Sequence, residues 1–323
     1  MDTFRVNVQK NNSFFRNFLW KRRDPYVGPE VPEDLKELLK IHLEETFGSS
    51  CFPGSIVSDI DKSTIPILKK DCYYVSWKYD GLRVIVIKFM GRWYGMTREN
   101  SFHEINLKVP HFENFESLVF DCELILHKRD RVLIILDVLH FGTKILSSNL
   151  SERLYLLEDS VLSISNDYKR REGILLMKKV YIDSSIHLDH FLSVDSVFSR
   201  DGIIFTSQDG RKTYKQKNYP TVDMLLEGLA EDDNFKSYLL KFKRKPALRG
   251  LFTVRKGSSH HRDFENLSGK IIECYATLNS RGINFWHGLR IRYDKLTPNS
   301  HLALSQCLNI ILEDDLTALF DQI

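Results

Sequence analysis

The run Val84-Ile85-Val86-Ile87-Lys88-Phe89 is apolar at both parities of an extended chain. Val84 and Val86 fall on one side, Ile85 and Ile87 on the other. Such a strand is covered on both faces, so the fold needs layers above and below it. An aromatic strand, Tyr-Tyr-Val-Ser-Trp at 73–77, precedes it. Between the two stands Lys78-Tyr79-Asp80-Gly81-Leu82-Arg83. Lysine is uncommon beside a buried strand unless it is used. Its amine is a nucleophile only when neutral, a form favoured by burial or neighbouring cations. Lys-x-Asp-Gly-x-Arg alone also fits a solvated β-turn carrying a surface lysine.

The chain around this segment alternates in type. Residues 1–32 are polar and are expected to be irregular. Residues 33–46 place Leu35, Leu38, Leu39 and Leu43 at helical spacing, with Pro32 and two acids at the start. Residues 118–125 and 132–139 read as a hairpin around a charged turn. Residues 149–161 read as a second helix, with Leu150, Leu154, Leu157 and Val161 on one face. Gly202–Thr206 is a short apolar strand. Around Lys243–Pro246 a basic stretch marks a change of domain. Short β-like runs over 251–292 suit a small barrel. Leu304, Leu308, Ile311, Leu312 and Leu319 return to helical spacing. The expected domains are 1–243, a barrel at 244–303 and a C-terminal helix at 304–323 packing back on the first domain.

Composition narrows the function. The chain has 323 residues, with 46 Lys and Arg against 43 Asp and Glu, a net +3. Charge of that size does not hold a polyanion without local clustering. The five cysteines, Cys51, Cys72, Cys122, Cys274 and Cys307, form no Cys-x-x-Cys clip, so a disulfide framework or structural zinc is not expected. The N-terminus has no apolar signal region, and Val132–Phe141, broken by Asp137 and His140, is far short of the ~20 residues that span a bilayer. A reducing compartment and no membrane are expected. His260-His261 and His187-x-Asp189-His190 match no known metal spacing. P-loop, dinucleotide, zincin and serine-hydrolase signatures are absent from the sequence.

Other polar segments follow Lys78 in order. They are Arg98 in Thr-Arg-Glu-Asn, Glu123 in Phe-Asp-Cys-Glu-Leu, Asp137 in Ile-Ile-Leu-Asp, and Asp201-Gly202-Ile203-Ile204-Phe205. Leu240-Lys241-Phe242-Lys243 comes next, then Arg292-Tyr293-Asp294-Lys295 running to Pro298-Asn299. Each alone has a bland reading: an outward carboxylate for Glu123, edge protection for Lys241 and Lys243, a solvated strand face for Arg290 and Arg292. Together, and in this order, they resemble the covalent nucleotidyltransferase superfamily of mRNA capping guanylyltransferases and ATP-dependent polynucleotide ligases. The resemblance runs from about Tyr73 to Asn299. Arg-x-Asp-Lys-x-x-Pro-Asn, with Trp286 upstream, resembles the capping-enzyme form. Leu136 stands where capping enzymes usually carry an aromatic, and Phe242 where Trp is common.

The resemblance implies an α+β fold: a nucleotidyltransferase domain with antiparallel sheets, then a C-terminal OB-fold barrel. It implies that Lys78 attacks the α-phosphorus of GTP and forms a lysyl-GMP intermediate. The GMP then passes to the 5′-diphosphate end of RNA. Lys241 and Lys243 would contact the α-phosphate, Arg98 and Glu123 the ribose, and Arg83 a phosphate. Ile204 would pack on the base. Asp201, with Glu123 second, would hold Mg2+ or Mn2+. Arg292, Asp294 and Lys295 would orient the β- and γ-phosphates. Expected partners are a separate RNA triphosphatase, a cap methyltransferase and the RNA polymerase II tail. The expected location is the nucleus or a viral transcription site. Arg211, Lys212, Lys215 and Lys217 form a further basic cluster, which fits an RNA guide or a solvated loop equally well. The spacer between Phe205 and Leu240 has no assigned role. An ATP-dependent RNA or DNA ligase and a non-catalytic RNA-binding subunit of the same fold are the alternatives.

Overall fold

The computed structural model describes residues 27–60, 64–107, 109–127, 130–144, 146–157, 174–183, 196–217, 221–231, 235–243, 246–255, 267–279, 282–292 and 295–300. The expected C-terminal helix, Val161, Asp294, His260-His261 and the His187 cluster lie outside them. The chain divides into two units, one spanning Pro25–Lys217 and the other containing Asn218 onward.

In the first unit the elements run α1 (Glu33–Phe47), β1 (Val57–Asp59), α2 (Ile65–Lys70), β2 (Tyr73–Tyr79), β3 (Leu82–Phe89), β4 (Arg92–Thr97) and β5 (Phe102–Ile105). After a 3-10 turn at Pro110–Phe112 come β6 (Leu118–His127), β7 (Asp130–Phe141), α3 (Leu150–Tyr155), β8 (Ile174–Lys178), β9 (Ile182–Asp183), β10 (Arg200–Ser207) and β11 (Thr213–Lys217). They build a six-stranded sheet, β5-β4-β3-β6-β7-β8, and a five-stranded sheet, β1-β11-β10-β2-β9. Most pairs are antiparallel, but β7 with β8 and β1 with β11 are parallel. Both parallel pairs join strands far apart in sequence, as parallel pairing requires.

The apolar run sits in β3, at the centre of the six-stranded sheet. Ile85 and Ile87 pack with Tyr94, Met96 and Phe102 against Leu39 and Leu43 of α1. Val84 and Val86 pack on the other face with Trp93, Phe120, Phe112 and Leu154. Both faces are therefore covered, as the sequence demands. Each such aliphatic side chain contributes about 1.5–3 kcal/mol of burial. α1 starts after Pro32 and ends at Gly48, whose φ of +71° is the left-handed conformation that glycine favours. Leu38 is 44% exposed and lies off the buried stripe of Leu39 and Leu43. α3 is shorter than expected, although Leu150, Leu154 and Leu157 are all buried. Its N-cap is Asn149, whose side chain accepts from the Ser151 N–H.

The second unit holds β12 (Thr221–Glu231), β13 (Phe235–Lys241), β14 (Pro246–Arg255), β15 (Ile271–Asn279) and β16 (Gly282–Ile291). They form one antiparallel sheet in the order β14-β13-β12-β15-β16. Val222, Met224 and Leu226 pack with Tyr238, Leu240, Phe242 and Trp286 as its core. Much of the spacer between Phe205 and Leu240 is thus β11, β12 and the start of β13. The basic stretch after Leu240 lies between β13 and β14 of this sheet, and the two units meet in sequence at Lys217 and Asn218. Among the described residues no ladder joins the edge strands β14 and β16, so the sheet is not closed into a barrel. No helix among the described residues is long and apolar enough to cross a membrane.

Candidate active site

Lys78 lies near the end of β2, which pairs with β10. Tyr79 faces Arg200 and Lys78 faces Gly202, so Asp201 is left without a partner in the ladder. This irregularity re-aims a side chain that regular alternation would turn to the opposite face. The Asp201 carboxylate accepts from Lys78 Nζ through both oxygens, at 2.7 and 2.9 Å. The expected nucleophile and the expected metal ligand therefore form one ion pair. Gly81 explains the tight turn that follows. A Cβ there would lie 2.5 Å from the Leu124 carbonyl oxygen, so only glycine lets this turn approach β6.

Arg83 and Glu123 face each other across β3 and β6. Arg83 Nε donates to Asp121 Oδ1 at 2.8 Å, its Nη2 donates to Asp121 Oδ2, and Nη2 also reaches Ser55 Oγ at 3.1 Å. Burial pulls the Arg83 pKa down, but Asp121 and Glu123 outweigh it and the guanidinium is held firmly charged. Glu123 is half-buried. Burial raises its pKa, opposed by Lys78, Arg83, Lys179 and Arg98. All four cations thus act on one carboxylate. Arg98 is exposed, with its guanidinium 6.0 Å from the Phe52 ring centroid.

Lys179 belongs to this group, although no motif marks it. It is 6% exposed, with Tyr79 and Tyr181 rings 6.0 and 5.4 Å from its ammonium. Burial takes its pKa down to about 7; Glu123 opposes the shift, and Arg83 and Lys78 reinforce it. It also lines a cavity of about 470 Å³ with Tyr74, Tyr155 and Tyr181, large enough for a small molecule. Asp121, which holds Arg83, belongs to the group too. Its signal is period-two spacing from Glu123, which puts both carboxylates on one face of β6.

Asp137 serves the scaffold. Arg153 Nε and Nη2 donate to its two oxygens, both at 2.8 Å. Leu136 packs with Ile125, Val132 and Ile134, and its carbonyl accepts from the Tyr181 hydroxyl at 3.0 Å. Ile204 is buried on β10, in register with Ser76 of β2 and Lys215 of β11.

The remaining expected residues lie in the second unit. Lys241 is on β13 in the second unit and pairs with Glu227 at 2.5 Å. Lys243 is exposed, and its backbone N–H donates to the Asn299 carbonyl. Both lysines belong to the second unit. Lys215 and Lys217 lie on β11, in the same sheet as Lys78. Lys217 pairs with Gly202, itself the partner of Lys78, and Lys215 pairs with Ile204. Lys215-Gln216-Lys217 is thus a Lys-x-Lys on the sheet that carries Lys78. Arg292 Nη1 lies 3.1 Å from Asp223 Oδ1 and 3.7 Å from Glu273 Oε2, so it is engaged within its own sheet. Asn299 trades hydrogen bonds with the Asp223 backbone, accepting at 2.6 Å and donating at 2.8 Å. Lys295 is exposed.

Among the described residues, no group of three or more His, Cys, Asp or Glu side chains could hold a metal ion. Asp201 and Glu123 do offer hard oxygen donors. That fits Mg2+ or Mn2+, which bind through one or two carboxylates with water and substrate phosphates.

The family model of the mRNA capping enzyme catalytic domain matches residues 24–219. That of the mRNA capping enzyme C-terminal domain matches residues 193–316. The chain belongs to the mRNA capping enzyme family. The catalytic match includes Lys215 and Lys217 and ends before Lys241. An mRNA-capping enzyme of Caenorhabditis elegans is 23% identical over 84% of this chain and 49% of its own length. One of Danio rerio is 26% identical over 81% and 48%. One of Mus musculus is 26% identical over 81% and 48%. The chain thus spans about half the length of these relatives. Among solved structures, a mycobacterial DNA ligase D complexed with ATP and MES is 14% identical, with a TM-score of 0.42 over 76% of this chain and 94% of that one. The ligase domain of M. tuberculosis LigD is 14% identical, with a TM-score of 0.33 over 75% and 94%.

Proposed function

We propose that this protein is an mRNA 5′-capping guanylyltransferase. The observation that carries the reading is the Lys78 ammonium, held by a bulged Asp201 beside Arg83, Glu123 and Lys179, in a chain of the capping family. Lys78 Nζ, as the free amine, attacks the α-phosphorus of GTP. A P–N bond forms, the bond to the β-phosphate oxygen breaks, and pyrophosphate leaves. Asp201 is the carboxylate placed to receive the proton that Nζ sheds. The terminal phosphate oxygen of a 5′-diphosphate RNA then attacks the same phosphorus. The P–N bond breaks, Nζ regains a proton, and GpppN–RNA is released.

Negative charge spreads over the phosphoryl oxygens in both steps, so fixed cations carry much of the catalysis. Arg83, clamped by Asp121, is one. Lys215 and Lys217 take the α-phosphate role in place of Lys241 and Lys243. Glu123 and Arg98 hold the ribose, and Ile204 packs on the base. Asp201 and Glu123 would hold Mg2+ or Mn2+, which supplies charge neutralisation on the phosphates when bound. Lys295 and Asp294 keep the role their motif implies, orientation of the β- and γ-phosphates. Arg292 instead stabilises its own sheet through Asp223 and Glu273. We read that sheet as an OB-fold. Removal of the RNA γ-phosphate and methylation of the cap belong to other active centres, a triphosphatase and a methyltransferase. The polymerase II tail and the nucleus are the partner and place this reading favours.

The test is covalent labelling. The protein, GTP or ATP labelled at the α-phosphate, and a divalent metal are mixed and run denatured. Label from GTP alone, lost in Lys78→Ala, is expected. Label from ATP instead makes the protein a ligase-type enzyme. No label from either, with nucleotide bound, makes it a non-catalytic subunit.

A further inference from the structure

β1 is three residues long, yet its register is fixed. It runs parallel to β11, with Val57 beside Thr213, Ser58 beside Tyr214 and Asp59 beside Lys215. The Ile60 N–H donates to the Lys215 carbonyl at 3.1 Å, and Ser55 Oγ lies 3.4 Å from Thr213 Oγ1. The chain on both sides of Asp59 is therefore tied to β11. Asp59 Oδ2 then sits 3.3 Å from Lys215 Nζ. Ser55, at the start of the same segment, accepts from Arg83 Nη2. One short stretch thus meets two cations of the site.

A carboxylate beside a phosphate-binding lysine repels the phosphate, so its presence asks for a reason. Stability is a weak one, because Lys215 and Asp59 are 23% and 45% exposed and such pairs contribute little. Preorganisation is stronger. A lysine side chain loses much rotamer freedom when it is fixed, and a cation set in advance avoids that loss at the moment of reaction. Asp59 reaches Lys215 from the strand edge opposite β10, the strand that separates Lys215 from the Lys78 strand.

We propose that Asp59 is a positioning residue that holds the Lys215 ammonium in place for the α-phosphate. The inference rests on the guanylyltransferase reading and on Lys215 as its phosphate cation. Single-turnover formation of lysyl-GMP, measured across GTP concentrations, tests it. Asp59→Asn is expected to slow the maximal rate about tenfold while the half-saturating GTP concentration stays within about twofold. Asp59→Glu restores the rate to within about threefold of wild type. In a Lys215→Met background Asp59→Asn adds no further slowing, because its effect passes through that lysine. A wild-type rate in Asp59→Asn, or equal slowing in both backgrounds, overturns the proposal alone. Absence of any GTP adduct in the wild type overturns both the proposal and the reading beneath it.

Discussion

Arg153 is where much of the first unit's polar packing converges, and its removal makes a sharp test. Its Nε and Nη2 hold Asp137 on β7. Nη1 donates to the Ser147 and Ser148 carbonyls at 3.0 and 2.8 Å, and Nη2 to the Asp209 carbonyl at 3.0 Å. Arg153→Met keeps the apolar stem but loses all of these. Asp137 keeps only the Val138 N–H among its named partners. Breaking a buried pair from one side costs about 3–5 kcal/mol. The side chains here are 9% and 15% exposed, which places the cost near the low end, at about 3 kcal/mol. For a unit of this size that is a fall in Tm of about 6–12 °C. Thermal unfolding of the full chain followed by circular dichroism reads it. Burial already raises the Asp137 pKa against the pull of Arg153. Without Arg153 the carboxyl rises further and binds a proton more readily in the native state than in the unfolded one. The deficit should therefore shrink as pH falls from neutral. Arg153→Met with Asp137→Leu should recover part of the loss, since an apolar pair has no charge to strand. A fall below about 2 °C, or a double variant no better than the single, refutes the reasoning.

Lys78→Arg keeps a partner for Asp201 but presents a guanidinium that stays protonated, so adduct formation should fall at least about a thousandfold with Tm within about 2 °C of wild type. Gly81→Ala meets the Leu124 backbone carbonyl and should cost about 1–3 kcal/mol in urea unfolding; an unchanged midpoint would mean the turn is free to shift. Burial lowers the pKa of both His42 and His140. Both are neutral in the fold at a pH where the unfolded chain begins to take up protons, so stability should fall as pH drops below about 6.5. His42→Gln should flatten that slope in urea midpoints taken between pH 7.5 and 5.5, and an unaltered slope would count against it. Lys215→Ala should cut lysyl-GMP formation by at least about a hundredfold and Lys241→Ala by less than about threefold; the reverse order would give the α-phosphate role to Lys241 and Lys243.

What the sequence carries well is local. Val84 to Ile87 announce a strand covered twice, and the structure supplies both covers. Lys78, Arg83, Glu123 and Asp201 come together although they are scattered along the first unit, because each sits on a strand whose neighbours the ordered motifs already imply. Lys179 could not be found this way. It follows the strand Ile174–Lys178 as the second of two lysines, and only the fold makes it the buried one. Asp201 is a subtler case. Its residue type was legible, but its aim depends on a ladder irregularity that no periodicity records.

The two Lys-x-Lys pairs show where pattern reading stops. Lys241 and Lys243 flank a phenylalanine after two leucines, which looks like a strand with charged residues on one face. That much is right for Leu240 and Phe242, both buried. Alternation, however, identifies a strand and not the sheet it joins. Leu240 and Phe242 are buried with Met224, Tyr238 and Trp286, so their strand is committed to the second unit's core. Lys215 and Lys217 sit in a polar segment with weaker strand character. β11 is held by its partners instead, with β10 on one side and β1 on the other. The backbone register of Lys215 and Lys217 comes from that pairing. On the guanylyltransferase reading, a phosphate cation needs a fixed position more than an apolar neighbourhood, and a strand paired along both edges offers one.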